Sequence, residues 1–198
     1  MLHIKRILDI IISIVLLIII LPIFICIIIL IKIIYKGPIF FKWHVIGKNG
    51  IPFTGYKFRT MIANAENLKV DLLESNEMTG PVFKMTDDPR ITKVGKYLRK
   101  YSLDELPQLW SVLKGDMSLV GPRPASPHEW ENYEEWHKRK LSVTPGITCL
   151  WQVNGRNKIY KFDDWIKMDL EYIDNWNLWL DIKIFFKTIP TVLKGTGR

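Results

Sequence analysis

The two adjacent carboxylates of "YSLDELPQLW", Asp104 and Glu105, are the side chains in this sequence best suited to catalysis. A carboxylate at a helix start is kept ionised by the helix dipole and by cations such as Arg99, so Asp104 can serve as a nucleophile on phosphorus. Its neighbour can hold Mg²⁺, which takes oxygen ligands and keeps phosphate oxygens in its shell. The alternative is helix capping, with Ser102 and Glu105 as a capping box and Pro107 in the first turn. These ten residues alone favour capping.

Basic side chains that can neutralise phosphate charge lie in two nearby stretches. "YKFRTM" places Lys57 and Arg59 on one face of a predicted strand, because alternate strand residues point the same way. "GPRP" holds Arg123 between Pro122 and Pro124, whose fixed φ angles stiffen a loop suited to bidentate phosphate contact. A solvated strand face and a structural turn are the ordinary alternatives.

A third basic residue, Arg156, follows an Asn-Gly turn in "WQVNGR", which is commonly only a hairpin tip. The histidines have neither metal-ligand spacing nor the order of a catalytic triad, and we expect them to be non-catalytic. They are His3, His44, His128 and His137.

Length and composition indicate one basic domain. The 198 residues carry 28 Lys plus Arg against 20 Asp plus Glu, for a net charge of +8. This charge favours anionic partners such as nucleic acid, acidic lipid or phosphorylated metabolites, without choosing among them. Cys26 and Cys149 suit neither a disulfide framework nor a zinc site, which favours a reducing, cytosol-facing environment.

An apolar segment runs from Ile10 to Ile31 and is interrupted only by Ser13 and Pro22. As a helix it extends roughly 33 Å, enough to cross a bilayer and longer than the apolar core of a signal peptide. Basic residues flank both ends, so the positive-inside rule selects no orientation. Since Pro22 would kink a helix, a spanning helix and a re-entrant hairpin stay equally open. The flanking residues are Lys5, Arg6, Lys32 and Lys36.

The rest of the chain predicts an α+β fold dominated by helices. We expect a small β-hairpin around "GKNG", an amphipathic helix in "IANAENLKVDLLESNE", and helices at about 92–100 and 103–113, the second ending at Gly115. The tail mixes Trp165, Trp176 and Trp179 with apolar residues and flanking lysines, which indicates amphipathic helices in the headgroup zone. A core-packed helix pair is the alternative.

In that order, "KFRTM", "DDPRITKVGKYLRKYSLDELPQLWSVLKGDMSLVGPRP", "PGIT" and "WQVNGR", behind a proline-containing apolar segment, resemble the bacterial sugar transferases known as monotopic phosphoglycosyl transferases. The resemblance covers the chain from about Lys5 to Lys194, and the long central motif is highly specific. It outweighs the interpretation of the Asp-Glu pair as a cap alone.

The resemblance implies transfer of a sugar-1-phosphate from a UDP-sugar to polyprenyl phosphate, with release of UMP. Asp104 matches the family's nucleophile, which forms a covalent phosphosugar intermediate, and Glu105 matches the residue associated with Mg²⁺. The basic residues placed around the phosphates match Lys57, Arg59, Arg99, Arg123 and Arg156, with Pro122 and Pro124 shaping the loop.

For topology, the resemblance implies a re-entrant membrane helix over residues 1–36, broken near Pro22, and a catalytic domain over residues 37–198. It also implies the cytoplasmic face of the bacterial inner membrane, no nucleic-acid partner, and downstream glycosyltransferases that extend the product. A homodimer stays open. The chain resembles the minimal catalytic form of the family.

Two matters stay open at this stage. UDP-glucose or UDP-galactose is the favoured donor, and an N-acetylated or deoxyamino UDP-sugar is the alternative. From another functional class, a membrane-anchored basic adaptor without catalysis is the competing hypothesis. Cys149 stands where the family commonly has glycine, so we expect a less permissive loop or an altered sugar pocket.

Overall fold

The computed structural model describes residues 1–35 and 37–197, and within these residues helices dominate, as the sequence predicts. The helices are α1 (Leu2–Ile34), α2 (Lys93–Lys100), α3 (Leu109–Lys114), α4 (Pro127–Glu131), α5 (Glu135–Lys138), α6 (Leu150–Val153), α7 (Phe162–Asp174) and α8 (Leu178–Leu193). The strands are β1 (Phe40–Ile46), β2 (Pro52–Phe58), β3 (Ser118–Val120) and β4 (Gly146–Thr148). Shorter 3₁₀ segments cover Lys48–Gly50, Asn67–Ser75, Leu103–Gln108, Arg139–Ser142 and Arg156–Lys158. Lys36 and Arg198, which belong to the predicted segments 1–36 and 37–198, lie outside the described residues.

Helix α1 contains the whole apolar segment. It is long and apolar enough to cross a membrane, judged by length and composition. The helix continues through Pro22 without interruption. The predicted bend at this proline therefore stays a prediction.

The first turns of α1 are held to the rest of the protein by polar contacts. The guanidinium of Arg6 donates to the carbonyl oxygens of Val112 and Leu113, where α3 ends. A cation at this position satisfies carbonyl groups that have no partner inside the helix. The carboxylate of Asp9 accepts a hydrogen bond from the Ser118 hydroxyl at 2.8 Å. The N-terminal end of α1 is thus joined to α3 and β3.

The other end of α1 is held by apolar packing. Ile27 and Ile31 are buried in one cluster with Phe58 from β2 and Leu98 from α2. Between the two ends, residues of the middle turns pack against a second apolar cluster, and these residues are Ile12, Leu16, Leu17 and Ile20. The helix therefore lies along the domain over most of its length.

The predicted hairpin is confirmed. Strands β1 and β2 pair antiparallel, from Phe40 opposite Phe58 to Ile46 opposite Pro52. At the turn Asn49 and Gly50 have φ of 56° and 77°, which Asn and Gly adopt most readily. A second, parallel pair, β3 with β4, was not predicted from the sequence.

Two helix predictions require correction. The segment predicted as an amphipathic α-helix contains the 3₁₀ segment Asn67–Ser75 instead, and none of the residues in that segment is buried. Without a packed face, little stabilises a regular helix there. The second helix begins as the 3₁₀ segment Leu103–Gln108 and continues as α3. Its predicted end is confirmed, since Gly115 is the C-cap with φ of 97°.

The two C-terminal helices differ in exposure. In α7, Phe162 and Trp165 are buried in the core, and Trp165 stacks on Trp151 with ring centroids 4.2 Å apart. The headgroup-zone interpretation is therefore wrong for Trp165. In α8, Trp179 and Phe186 are each 62% exposed. This exposed apolar face keeps the interfacial prediction open for α8.

Candidate active site

The Asp-Glu pair lies on the 3₁₀ segment that precedes α3. Asp104 is buried, with 8% of its surface exposed, and Glu105 is half-buried. The predicted capping box is wrong, because Ser102 has a left-handed backbone with φ of 52° and its side chain makes no capping hydrogen bond. The Ser102 hydroxyl instead accepts a hydrogen bond from the guanidinium of Arg156 at 2.8 Å. The local segment thus ties a distant arginine to the carboxylates.

Lys57 is the direct counter-ion of Glu105. Its Nζ atom lies 2.7 Å from Oε1 of Glu105 and 4.2 Å from the ring centroid of Trp43. Burial would raise the pKa of the Glu105 carboxyl, but the Lys57 ammonium outweighs this effect and lowers it. Glu105 is therefore ionised at neutral pH.

Asp104 has the opposite shift. Burial and the adjacent charge of Glu105 raise its pKa to about 6, although Lys57 and Arg99 act against this shift. A carboxyl whose pKa lies near neutrality ionises under physiological conditions and keeps a basic, nucleophilic oxygen. The environment is thus suited to a nucleophile.

Glu105 lines a cavity of about 250 Å³, and the buried Asp104, which precedes it in the chain, is not itself a lining residue. Its charged lining comprises Lys84, Asp88, Arg90, Arg99, Glu105, Arg123 and Arg156, and the neutral amides of Gln108, Gln152 and Asn157 also line it. Aromatic side chains form other parts of the wall, namely Trp43, Phe83, Trp151 and Trp165. Arginines beside a buried carboxylate pair suit an anionic, phosphorylated ligand.

The two remaining basic residues predicted for phosphate binding differ in position. Arg99 lines the cavity and donates from Nε to the Thr60 hydroxyl at 2.9 Å. Arg59 is not a lining residue, and its Nε donates to the carbonyl oxygen of Met61. The phosphate-binding role of Arg59 stays a prediction without support from this geometry.

Comparison with known proteins identifies the family of this chain. The model of the family described as bacterial sugar transferase matches residues 1–195. The chain belongs to this family. The resemblance carried by the sequence motifs is thereby confirmed.

Three curated relatives are informative. The galactosyl transferase CpsE of Streptococcus agalactiae is 55% identical over 161 residues, which are 81% of this chain and 36% of the relative. The undecaprenyl-phosphate galactose phosphotransferase of Salmonella typhimurium is 46% identical over 165 residues, 81% of this chain and 34% of that protein. The exopolysaccharide production protein ExoY of Sinorhizobium fredii is 42% identical over 197 residues, 98% of this chain and 87% of ExoY. The chain thus spans about a third of the length of the first two relatives.

In this family member the loop with Arg123 is flanked by two buried prolines. Pro122 and Pro124 are both fully buried, and their loop-shaping role stays a prediction. The guanidinium of Arg123 is held from behind by the buried carboxylate of Glu129, with Nη1 to Oε2 at 3.1 Å. Glu129 also accepts a hydrogen bond from the backbone N–H of Ser126 at the start of α4. These contacts position the arginine beside the cavity.

We expect Glu129→Gln to raise the KM for the phosphorylated substrate about tenfold, because the amide orients Arg123 with one weaker hydrogen bond in place of a charge-assisted pair. The measurement is a steady-state kinetic comparison with Glu131→Gln, an exposed residue on the same helix. A lower melting temperature with unchanged kinetics would show that Glu129 only stabilises the fold.

The carboxylates of the site are oxygen donors of the kind that Mg²⁺ prefers. Within residues 1–35 and 37–197, no cluster of three or more metal-ligating side chains is present. Mg²⁺ in phosphoryl-transfer sites is commonly held by one or two carboxylates together with substrate phosphates. Two adjacent carboxylates, of which Asp104 has a pKa raised by burial and by the charge of Glu105, fit such an ion. Glu105 would hold it, with Asp104 alongside.

The expectation for Cys149 is not supported by its geometry. Its φ of −144° is an extended conformation that any residue adopts, so the backbone here does not require glycine. The side chain is buried and is not a lining residue of the cavity. Burial also raises the pKa of its thiol, which keeps it protonated.

Sequence reasoning missed three residues at the site. Trp43 packs on Lys57, Glu129 holds Arg123, and Gln108 lines the cavity four residues after Asp104. The i, i+4 spacing on a predicted helix was the one available signal for Gln108. Trp43 carried no local signal, whereas Glu129 stands three residues after Ser126, which is the spacing of a capping box.

Proposed function

We propose that the protein transfers a sugar-1-phosphate from a UDP-hexose to a polyprenyl phosphate, with release of UMP. The observation that carries the proposal is a cavity lined by four arginines and Glu105, with the buried Asp104 next to Glu105 in the chain. Membership of the bacterial sugar transferase family supports the same reaction.

The reaction proceeds in two displacements at one site. An oxygen of Asp104 attacks the phosphorus bonded to the sugar, and the bond from that phosphorus to the bridging oxygen breaks, with its electron pair leaving on UMP. An oxygen of polyprenyl phosphate then attacks the same phosphorus. The bond to Asp104 breaks, which restores the carboxylate and releases a polyprenyl diphosphate sugar.

The other side chains stabilise the charges on these phosphates. Arg99, Arg123 and Arg156 bind phosphate oxygens, and Lys57 keeps the charge of Glu105 from repelling the donor. Magnesium, when bound at Glu105, supplies further neutralisation of the diphosphate. Each contribution matters because attack by one anion on another is otherwise opposed by repulsion.

UDP-galactose and UDP-glucose are the favoured donors, because two similar proteins are named for galactose transfer and another for glucose-1-phosphate transfer. An N-acetylated or deoxyamino UDP-sugar is the alternative donor. The product would begin a surface glycan such as a capsule, exopolysaccharide, O-antigen or glycoprotein glycan.

The contacts of α1 support a helix whose two ends lie on the same side of the membrane, as in a re-entrant helix, and we assign that side to the cytoplasmic face of the inner membrane. Its first turns bind α3 and β3 through Arg6 and Asp9, while Ile31 near its other end packs against β2. A straight spanning helix would carry one end about 30 Å from a domain on the opposite side. Residues 1–36 would then anchor the catalytic domain, residues 37–198, where the lipid phosphate lies.

We expect single cysteines introduced before Leu2 and after Tyr35 both to lie in the cytoplasm of intact bacteria, because both ends of α1 contact the same domain. The measurement is labelling of single introduced cysteines by a membrane-impermeant reagent, in a background with Cys26 and Cys149 replaced by serine. Labelling of the N-terminal site from the periplasm would indicate a spanning helix.

The test of the proposed activity is a UMP-release screen. Purified protein is given a panel of UDP-sugars with undecaprenyl phosphate and Mg²⁺, and the Asp104→Asn variant serves as the blank. We expect release with UDP-galactose or UDP-glucose and formation of the lipid-linked sugar. No release with any donor would overturn the proposal and leave the non-catalytic adaptor.

A further inference from the structure

Gln108 is a buried amide that has no partner in the protein. It is 2% exposed and lines the cavity. Within the described residues, 1–35 and 37–197, its side chain makes no hydrogen bond. Its amide oxygen and nitrogen are nevertheless not completely enclosed by protein atoms. The polar atoms of Gln108 therefore face the cavity.

Other polar side chains of the cavity are held by protein groups. Arg123 is bound by Glu129, and Arg156 donates to Ser102. Gln152, the other glutamine in the lining, accepts a hydrogen bond from the backbone N–H of Cys149 at 3.0 Å. Leaving a buried amide without a partner costs free energy, so a group outside the chain is expected to complete it.

The position of Gln108 indicates which part of the substrate it contacts. It lies four residues after Asp104 on the same helical stretch, and the group that stays on Asp104 after UMP leaves is the sugar phosphate. Phosphate oxygens only accept hydrogen bonds, and the arginines already supply donors. An amide both donates and accepts, as a sugar hydroxyl does.

We propose that Gln108 is a substrate-binding residue that hydrogen-bonds a hydroxyl of the transferred hexose. This inference rests on the proposed function and deepens it by assigning the sugar side of the cavity. Gln108 then helps to select hydroxylated hexoses, because an unmatched amide in the site would be left without a partner.

Stability separates this role from a structural one. Gln108→Met keeps the length of the side chain and removes an unpartnered amide, so the melting temperature should stay the same or rise. Gln152→Met is the matched control, because it removes an amide that the protein uses and should lower the melting temperature. A melting temperature that falls for Gln108→Met as it does for Gln152→Met would overturn the proposal.

Ligand binding identifies the contact. In an Asp104→Asn background, which does not consume donor, we expect Gln108→Met to weaken UDP-galactose binding about tenfold, the loss for one buried hydrogen bond. Binding of UDP, which has both phosphates and the ribose but lacks the hexose, should be unchanged. Equal losses for UDP and UDP-galactose would place the contact on phosphate and overturn the proposal, as would no loss for either.

The same measurements keep this inference apart from the proposed function. A wild-type protein that binds UDP-galactose but releases no UMP would overturn the transfer reaction, and the Gln108 contact would still be decided by the two affinities. Wild-type turnover together with a Gln108→Met variant of unchanged donor affinity would overturn only the Gln108 contact.

Discussion

UMP release from UDP-galactose is expected to fall by at least about 10³-fold in the Asp104→Asn variant, because a neutral amide cannot act as the nucleophile on phosphorus. The substitution keeps the shape of the side chain. Glu105 and Lys57 keep their ion pair, so donor binding should persist. Loss of chemistry with retained binding is the signature of a nucleophile.

Stability should not fall with activity in this variant. Burial and the charge of Glu105 raise the pKa of Asp104 to about 6 in the folded protein, above its ordinary value of 3.8. Protonated Asp104 therefore contributes to the free energy of unfolding. This contribution is fully present below pH 3.8 and is lost as the pH rises through about 6. At pH 7 the ionised Asp104 therefore weakens the fold, and its neutral replacement should give an equal or higher melting temperature.

The measurements are UMP release, thermal melting, and peptide mass spectrometry of protein quenched after addition of donor without lipid acceptor. Asp87→Asn is the control, since Asp87 is exposed and directly precedes Asp88, which lines the cavity. Turnover in Asp104→Asn comparable with that of the control would contradict the mechanism. A phosphosugar found on a different residue would do so as well.

Several charged residues of the site were predictable from the sequence because their chemistry depends on residue type, but the cavity-lining Arg90 and Glu129, which pairs with Arg123, were not predicted. The structure brings Glu105, Arg99, Arg123 and Arg156 to one cavity, although they come from four parts of the chain. The end of α3 was also predictable, because it depends on the residue type at one position. Gly115 takes the left-handed conformation that glycine favours.

Features that depend on distant contacts were not predictable. Ser102 fails as a cap because its backbone is left-handed and its hydroxyl binds Arg156, 54 residues away. Trp165 is buried because Trp151 stacks on it, which the amphipathic pattern of the tail does not reveal. Local patterns report the preference of a segment, whereas burial is decided by the segment that it meets.

The same limit applies to charges inside the core. Lys140 and Asp169 read as ordinary surface residues in sequence, yet they are 2% and 0% exposed and form an ion pair at 2.9 Å. Burial acts against the charge of Lys140, but the carboxylate of Asp169 outweighs it and raises the pKa of the ammonium. The Lys140 Nζ atom lies 6.0 Å from the ring centroid of Tyr133, a residue of the core cluster that also contains Trp151 and Trp165.

We expect Lys140→Met to lower the free energy of unfolding by about 3–5 kcal/mol, because it leaves the Asp169 carboxylate buried without a counter-charge. For a chain of this size the melting temperature should fall by roughly 10 °C. The double variant Lys140→Met with Asp169→Leu should recover most of the loss, since neither charge is then left in the core. The measurement is thermal melting of the three proteins in one detergent.

Arg139→Met is the matched control for this experiment, because the neighbouring Arg139 pairs with Asp174 on the surface, where both side chains are about half exposed. A surface pair contributes about 0–1 kcal/mol, so this variant should melt close to the wild type. If Lys140→Met shifted melting no more than Arg139→Met, the pair would be solvated rather than buried. If the double variant stayed as unstable as the single one, the loss would come from packing around Lys140 instead of an unpaired charge.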